Sequence, residues 1–458
     1  MNRLFKSSVL LVLMLILAGC ENNKVTTETT NVDLGDIDVD LSMVNVKDRV
    51  GAEDYWSETV SSDKSVFIEA DVVIPDVSDV KIIQEEERYF TPEEKEEIIR
   101  VFSDEDIYVY PMNIEDWTVS QLEEEIEWFE EYIEAVSDNS SQEELDKMDE
   151  ELQELYAYLE DAPTDYSVAD DFSGQRYISK YNGYDYLFAF FGEVEYPYYS
   201  SFYMETEDYK TRCDGKVYES ITFDMSDRYT FSENMCVLTE DDACAQAKSI
   251  AEALGYGDFT VGSVHPLLCN GWSENNVIED SWYEGYNITL YREIDGIEVD
   301  GRSWEEVREN MLNNSGIVME SEQEGEEVYT NYGYEKIIIA INDNGILRLD
   351  YMSPFLIKEV ISEDTELLDY NSIQDILIDE INYNYEIYKN VVFNKLEFKY
   401  YPVRYDEEGS NINYAIVPVW ILTVEDSYET RYYVMVNAID GEIIHIEDNE
   451  KLYTRREY

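Results

Sequence analysis

Two stretches of this chain repeat one order of elements, and that order narrows the fold more than any figure of composition. LTEDDACAQAKSIAEALG (Leu238–Gly255) sets Ala243, Ala247, Ile250, Ala251 and Leu254 on one helical face, with Thr239 as N-cap and Gly255 as the stop. Strand-like segments follow: FTVGSVHPL, then YNITLYREIDGIEV, then EKIIIAINDNGILRLDYMSP with Asn344 and Gly345 at a tight turn. The second copy opens with Asn371 capping SIQDILIDEIN, whose Ile373, Ile376, Leu377 and Ile381 stand at helical spacing. Its strands are VVFNKLEFKYYPVRY, NYAIVPVWILTVED, YYVMVNAI and EIIHIE. A helix over an antiparallel sheet of about four strands, used twice, is an α+β layer architecture.

The half before these repeats has its own signals. SVFIEADVVIP (Ser65–Pro75) alternates with period two, as a strand with one buried face does. YFTPEEKEEIIRVF reads as a helix with Thr91 at the cap and Pro92 in its first position. Two amphipathic helices, about 119–136 and 142–159, flank the polar turn SDNSS and form an inserted antiparallel hairpin over 118–160. Thr118 with Gln121 and Ser141 with Glu144 have the spacing of capping boxes. Leu122, Ile126, Phe129 and Ile133 face Leu145, Met148, Leu152, Leu155 and Leu159 across the expected seam. A tyrosine-rich β region comes next, with YDYLFAFFGEVEY, SFYMETED and the run YPYYSSFY (Tyr196–Tyr203).

The N-terminus speaks to location. Arg3 and Lys6, an apolar run from Val9 to Leu17, and Ala18-Gly19 make a secretory signal over residues 1–19. That run is shorter than the roughly 20 residues needed to span a bilayer. Leu17-Ala18-Gly19-Cys20 resembles a bacterial lipobox, which implies diacylation of Cys20 and cleavage just before it. Two acyl chains anchor stably. Residues 20–60 then read as a flexible acidic tether, followed by an N-terminal α+β region (61–235) and the two repeated modules (236–355 and 356–458).

Charge excludes some partners. The chain carries 104 Asp and Glu against 32 Lys and Arg, a net −72, so nucleic acid and anionic lipid are repelled. With 44% apolar residues and 40 tyrosines it can nonetheless bury a core. In an exported body, Cys213, Cys236, Cys244 and Cys269 allow two disulfides with three pairings; Cys213–Cys236 and Cys244–Cys269 are preferred. A metal set of Cys236, Cys244, His265 and Cys269 matches no zinc-knuckle spacing.

His265 and His445 sit in strand-like segments, and no nucleophile, P-loop or EF-hand motif occurs. Asp295-Gly296 and Asp440-Gly441 are turn dipeptides before they are calcium ligands. No catalytic residue, metal or cofactor is assigned. The tyrosine clusters suit either sheet packing or contact with a peptide or glycan.

AIVPVWILTVED and YYVMVNAIDGEIIHI resemble the closing strands of PepSY-like modules in Gram-positive lipoproteins. With the helix at 238–255, YREIDGIEVDG and the 335–354 hairpin, the order over 238–447 is similar to a family of uncharacterised lipoproteins from gut anaerobes. The resemblance implies tandem PepSY- or cystatin-like modules, and an exported, non-catalytic protein on the outer face of the cytoplasmic membrane that contacts an envelope protein or peptide. The alternatives are a surface hydrolase of glycans or peptides using paired carboxylates, and a low-affinity cation binder.

Overall fold

A computed structural model describes residues 44–61, 65–137, 140–192, 200–206, 234–272, 278–302, 328–329, 334–363, 365–408, 411–425, 430–445 and 451–452. The signal segment, Cys20, Cys213 and residues 196–199 of the tyrosine run lie outside them.

Val46 and Val50 stand one helical turn apart in α1 (Val46–Val50), capped by the Asn45 side chain and closed by Gly51 at φ 71°. Both valines are buried, as is Trp56 in β1 (Tyr55–Thr59). Residues 46–56 of the tether expected over 20–60 are therefore part of the folded body, because three apolar side chains draw them into the core. In β2 (Phe67–Val73) the expected alternation holds: Ile68, Ala70 and Val72 point inward. β3 (Ile82–Glu87) leads to α2 (Pro92–Val101), where Thr91 and Glu94 form a capping box with Pro92 at the first position.

After β4 (Tyr108–Val109) come the hairpin helices α3 (Val119–Val136) and α4 (Gln142–Asp161), each starting in the expected capping box. Leu122, Ile126, Leu152 and Leu155 close the seam as a cluster separate from the main cores. Leu145 and Met148, further from the base, stay half-buried. Val119 N–H donates to Pro163 O at 2.9 Å and closes the base, so the hairpin projects and packs mainly on itself. Thr118→Ala removes a buried cap and is expected to destabilise the hairpin by about 1 kcal/mol, read as a lower midpoint for loss of helical circular dichroism. An unchanged midpoint would deny the cap that role.

The remaining strands are β5 (Arg176–Tyr181), β6 (Tyr184–Phe191), β7 (Ser201–Thr206), β8 (Asp258–Trp272), β9 (Ile278–Ile294), β10 (Ile297–Glu298), β11 (Val328–Tyr329), β12 (Lys336–Asn342), β13 (Gly345–Met352), β14 (Phe355–Ser362), β15 (Val392–Glu408), β16 (Asn411–Glu425), β17 (Thr430–Asn437) and β18 (Lys451–Leu452). Helix α5 (Glu240–Leu254), capped by Thr239 and stopped by Gly255 as expected, precedes β8. Helices α6 (Tyr370–Tyr383) and α7 (Tyr385–Tyr388) precede β15.

Two large sheets result, and the class is α+β. A nine-stranded sheet runs β10-β9-β12-β13-β7-β6-β5-β4, with β8 also on β9. A seven-stranded sheet runs β1-β2-β15-β16-β3-β14, with β17 also on β16. The described strand pairings are antiparallel except β2 with β15, and two isolated bridges, Asn234 to Tyr283 and Val299 to Tyr400, are parallel. Helices α2 and α5 cover one face of the first sheet, burying Ile98, Ile99, Ala243, Ala247 and Ala251 against Phe188, Phe202, Ile339 and Leu349. Helix α6 covers the second, with Ile373, Leu377 and Ile381 against Leu396, Phe398 and Trp420.

Residues 61–235, expected as a region of their own, divide between the sheets. β2 and β3 extend the C-terminal sheet, while β4 to β7 extend the other. Alternation shows that a strand has a buried face and leaves its partner open. Three local readings also shift. The cap of α6 is Asp369, whose carboxylate accepts from Ser372 N–H at 3.0 Å, rather than Asn371. Asp343 and Asn344 form the β12–β13 turn, with Gly345 at φ 108° opening β13. Residues 442–445 make one isolated bridge, Val436 to Ile443, in place of a fourth strand.

Candidate functional site

The sequence singles out cysteines, histidines and Asp-Gly pairs, and the fold separates them. The expected Cys244–Cys269 bond is not formed. The reason is the sheet between them: Cys244 packs with the helix-side core, whereas Cys269 is buried on the opposite face with Leu267, Ala340 and Leu347. Cys236 donates to Asp343 Oδ1 at 3.1 Å, and burial together with that carboxylate pushes its thiol up to about 11. Its expected partner Cys213 lies outside the described residues.

His265 stands in β8 opposite Asn287, while His445 is exposed beyond the seven-stranded sheet. Among the described residues no group of three or more His, Cys, Asp or Glu is placed to hold a metal ion. Asp295 and Gly296 both take positive φ and join β9 to β10 as a two-residue turn, with Lys81 Nζ 2.6 Å from the Asp295 carboxylate. Asp440 accepts from Glu442 N–H at 3.0 Å, also within a turn.

What the fold does bring together is a cluster on the face of the nine-stranded sheet away from α2 and α5. Register pairs Tyr203 with Asp350, and Glu205 with Arg348, across β7 and β13. Phe202, Met204, Leu349 and Tyr351 alternate with them into the helix-side core, so Tyr203, Glu205, Arg348 and Asp350 share the opposite face, where each is half-buried. Arg348 grips Asp350 with both arms, Nε to Oδ2 at 2.7 Å and Nη2 to Oδ1 at 2.9 Å, and reaches Glu205 Oε2 at 3.9 Å. Its guanidinium lies 5.7 Å from the Tyr203 ring centre. Tyr203 in turn stacks on Phe191 at 5.7 Å with planes 7° apart. Burial and then the nearby Asp350 push Glu205 up, against the pull of Arg348.

An aromatic ledge beside a guanidinium and two carboxylates can stack against and hydrogen-bond a polar ligand. Tyr203 belongs to the tyrosine run singled out in the sequence. Arg348, Glu205 and Asp350 were not, although Arg348 and Asp350 are the polar positions of the alternating ILRLDY strand.

Two further ionic clusters are buried where the sheets meet. Val299 bridges Tyr400, and Asp300 N–H donates to Tyr400 O at 2.8 Å. Around that contact Lys399 Nζ lies 2.6 Å from Glu298 and 3.3 Å from Glu397, while Lys395 lies 3.1 Å from Glu397. The Asp300 side chain is 0% exposed and paired with Arg302. Burial opposes its charge, yet Arg302 and then Lys399 hold it at about 2.

The second cluster centres on Glu335, whose side chain is 1% exposed. Tyr351 donates to its Oε1 at 2.6 Å, Arg292 Nε stands 3.8 Å from Oε2, and burial raises the carboxyl to about 7. Arg292 also donates to Tyr256 O, and Arg88 lies 4.0 Å from the Tyr256 ring centre.

The chain matches no protein-family profile and no curated protein. A solved structure of an uncharacterised protein from Eubacterium rectale ATCC 33656 is similar at 16% identity and a TM-score of 0.40. The match covers 86% of this chain and 94% of that one. Among the described residues no helix is long and apolar enough to cross a membrane.

Proposed function

We propose that this chain is a lipid-anchored extracytoplasmic protein that binds or regulates another envelope protein or peptide and carries out no reaction. The anchor is Cys20, and the C-terminal helix-plus-sheet units serve as PepSY-like modules. One observation carries the non-catalytic part. Two of the most strongly perturbed carboxyls, Asp300 and Glu335, are sealed and ion-paired where the sheets meet, out of reach of a substrate. The half-buried Arg348 and Tyr203 and the more exposed Phe191 form an aromatic and charged surface instead.

The runner-up reading, a hydrolase with paired carboxylates, draws on Glu205 and Asp350 flanking Arg348 on the face away from α2 and α5.

One experiment separates them. Native protein and a Glu205→Gln/Asp350→Asn variant are assayed on a panel of peptidoglycan fragments, glycans and peptides, and cell membranes are fractionated with the native chain and Cys20→Ala. The proposal expects no turnover by either protein and loss of membrane attachment in the Cys20→Ala chain. Turnover abolished by the double substitution would replace it with the hydrolase. Attachment independent of Cys20 would remove the anchor.

A further inference from the structure

The projecting hairpin has an outer face that the rest of the molecule leaves open. On α3, Trp128 is 56% exposed and Tyr132, one turn on, is 42% exposed. Their rings stack at 5.6 Å with planes 11° apart. Phe129 stands 6.3 Å from each and packs into the seam below, which fixes the ladder to the hairpin core. Exposed aromatic side chains of this size, locked in one arrangement, offer contact area at small entropic cost.

The surroundings of the ladder choose its occupant. Helical spacing sets Glu124, Glu125 and Glu131 beside Trp128, at three or four residues' distance. Residues 119–161 hold 17 acidic side chains against the single Lys147. A second copy of this chain carries the same charge and is repelled, as is any acidic protein. A neutral apolar partner would strip water from those carboxylates without replacing it. A lysine or arginine satisfies both features, its cation over the ring face and its charge against the carboxylates.

We infer that the Trp128–Tyr132 ladder, with Glu124, Glu125 and Glu131, docks a lysine- and arginine-rich segment of a partner protein. This deepens the binding reading above and rests on it. The ladder supplies specificity that the general acidity of the surface lacks; Asp375 and Asp379, exposed carboxylates one turn apart on α6, provide the comparison.

The test uses the full chain and a short labelled peptide in which lysine and arginine alternate with serine, at physiological ionic strength. Trp128→Ala/Tyr132→Ala leaves the charge unchanged and is expected to weaken binding by about tenfold or more. Glu124→Gln/Glu131→Gln should weaken it clearly, whereas Asp375→Asn/Asp379→Asn, with the same loss of charge, should change it less than about twofold. Circular dichroism confirms that the hairpin stays helical in each variant.

Equal affinity of the native and ladder variants would mean adsorption to a generally acidic surface and would overturn the inference. Absence of peptide binding, or binding that calcium or spermine matches, would overturn it as well. The broader reading fails separately, when crosslinking in cells recovers no envelope partner for the native chain.

Discussion

Replacing Lys399 by methionine is expected to lower the stability of the folded chain by about 3–5 kcal/mol, measured by urea unfolding at pH 7. Lys399 lies within 2.6 Å of Glu298 and 3.3 Å of Glu397, and all three side chains are largely buried. Burial disfavours the ammonium, but Glu298 and then Glu397 outweigh it, so its proton is held more tightly than in water. Methionine keeps the aliphatic bulk and removes only the charge. Glu298 then loses its ion-pair partner, and Glu397 keeps Lys395 at 3.1 Å and the more distant Arg302. The loss should shrink when Glu298→Gln is added, because the neutral amide needs no counter-ion. It should also shrink in acid, where the stranded carboxylates take up protons. A Lys399→Met chain as stable as the native one would show that this contact between the sheets is not held by its charges.

Glu335 gives the second large effect, with the opposite sign. Its carboxyl sits at about 7 in the folded chain against 4.5 for a free glutamate, so the folded state binds this proton more tightly. The stabilising contribution is complete below about 4.5 and is lost as pH rises through about 7, the loss amounting to about 3 kcal/mol once both states are ionised. Burial is the main cause; Arg292, the Tyr351 hydroxyl, the Phe355 N–H and Arg88 pull the other way. Glu335→Gln mimics the protonated form in shape and keeps an oxygen for Tyr351. The variant should match the native chain near pH 4.5 and exceed its stability by up to about 3 kcal/mol near pH 8. Taking the difference between the two proteins cancels the pH dependence of the other acidic groups. A difference that stays constant across this range would place the Glu335 carboxyl at an ordinary value.

Local signals proved readable where one short segment decides the outcome. Thr91 with Glu94, Thr118 with Gln121, and Ser141 with Glu144 all cap helices as their spacing predicts, and Gly255 ends α5. Asp369 and Asn371 are both cap-forming residue types, and the helix starts at Tyr370, so Asp369 takes the role and accepts from Ser372 N–H. Pairings across long separations were not readable. β2 joins β15 over more than 300 residues, and nothing in FIEADVV names that partner. The cysteines show the same limit, since an even count invites bonds while the nine-stranded sheet stands between Cys244 and Cys269. The cluster on the face away from α2 and α5 needed the register of β7 and β13 before Tyr203, Glu205, Arg348 and Asp350 could be grouped.

Membrane attachment and partner binding meet in one measurement: crosslinking in intact cells with the natively anchored chain, followed by capture and identification, against the Cys20→Ala chain. The account predicts one specific envelope protein recovered with the anchored form and lost without the anchor, with recovery reduced in the Trp128→Ala/Tyr132→Ala chain. Recovery of no specific partner by the anchored form, together with turnover of a glycan or peptide that depends on Glu205 and Asp350, would contradict it.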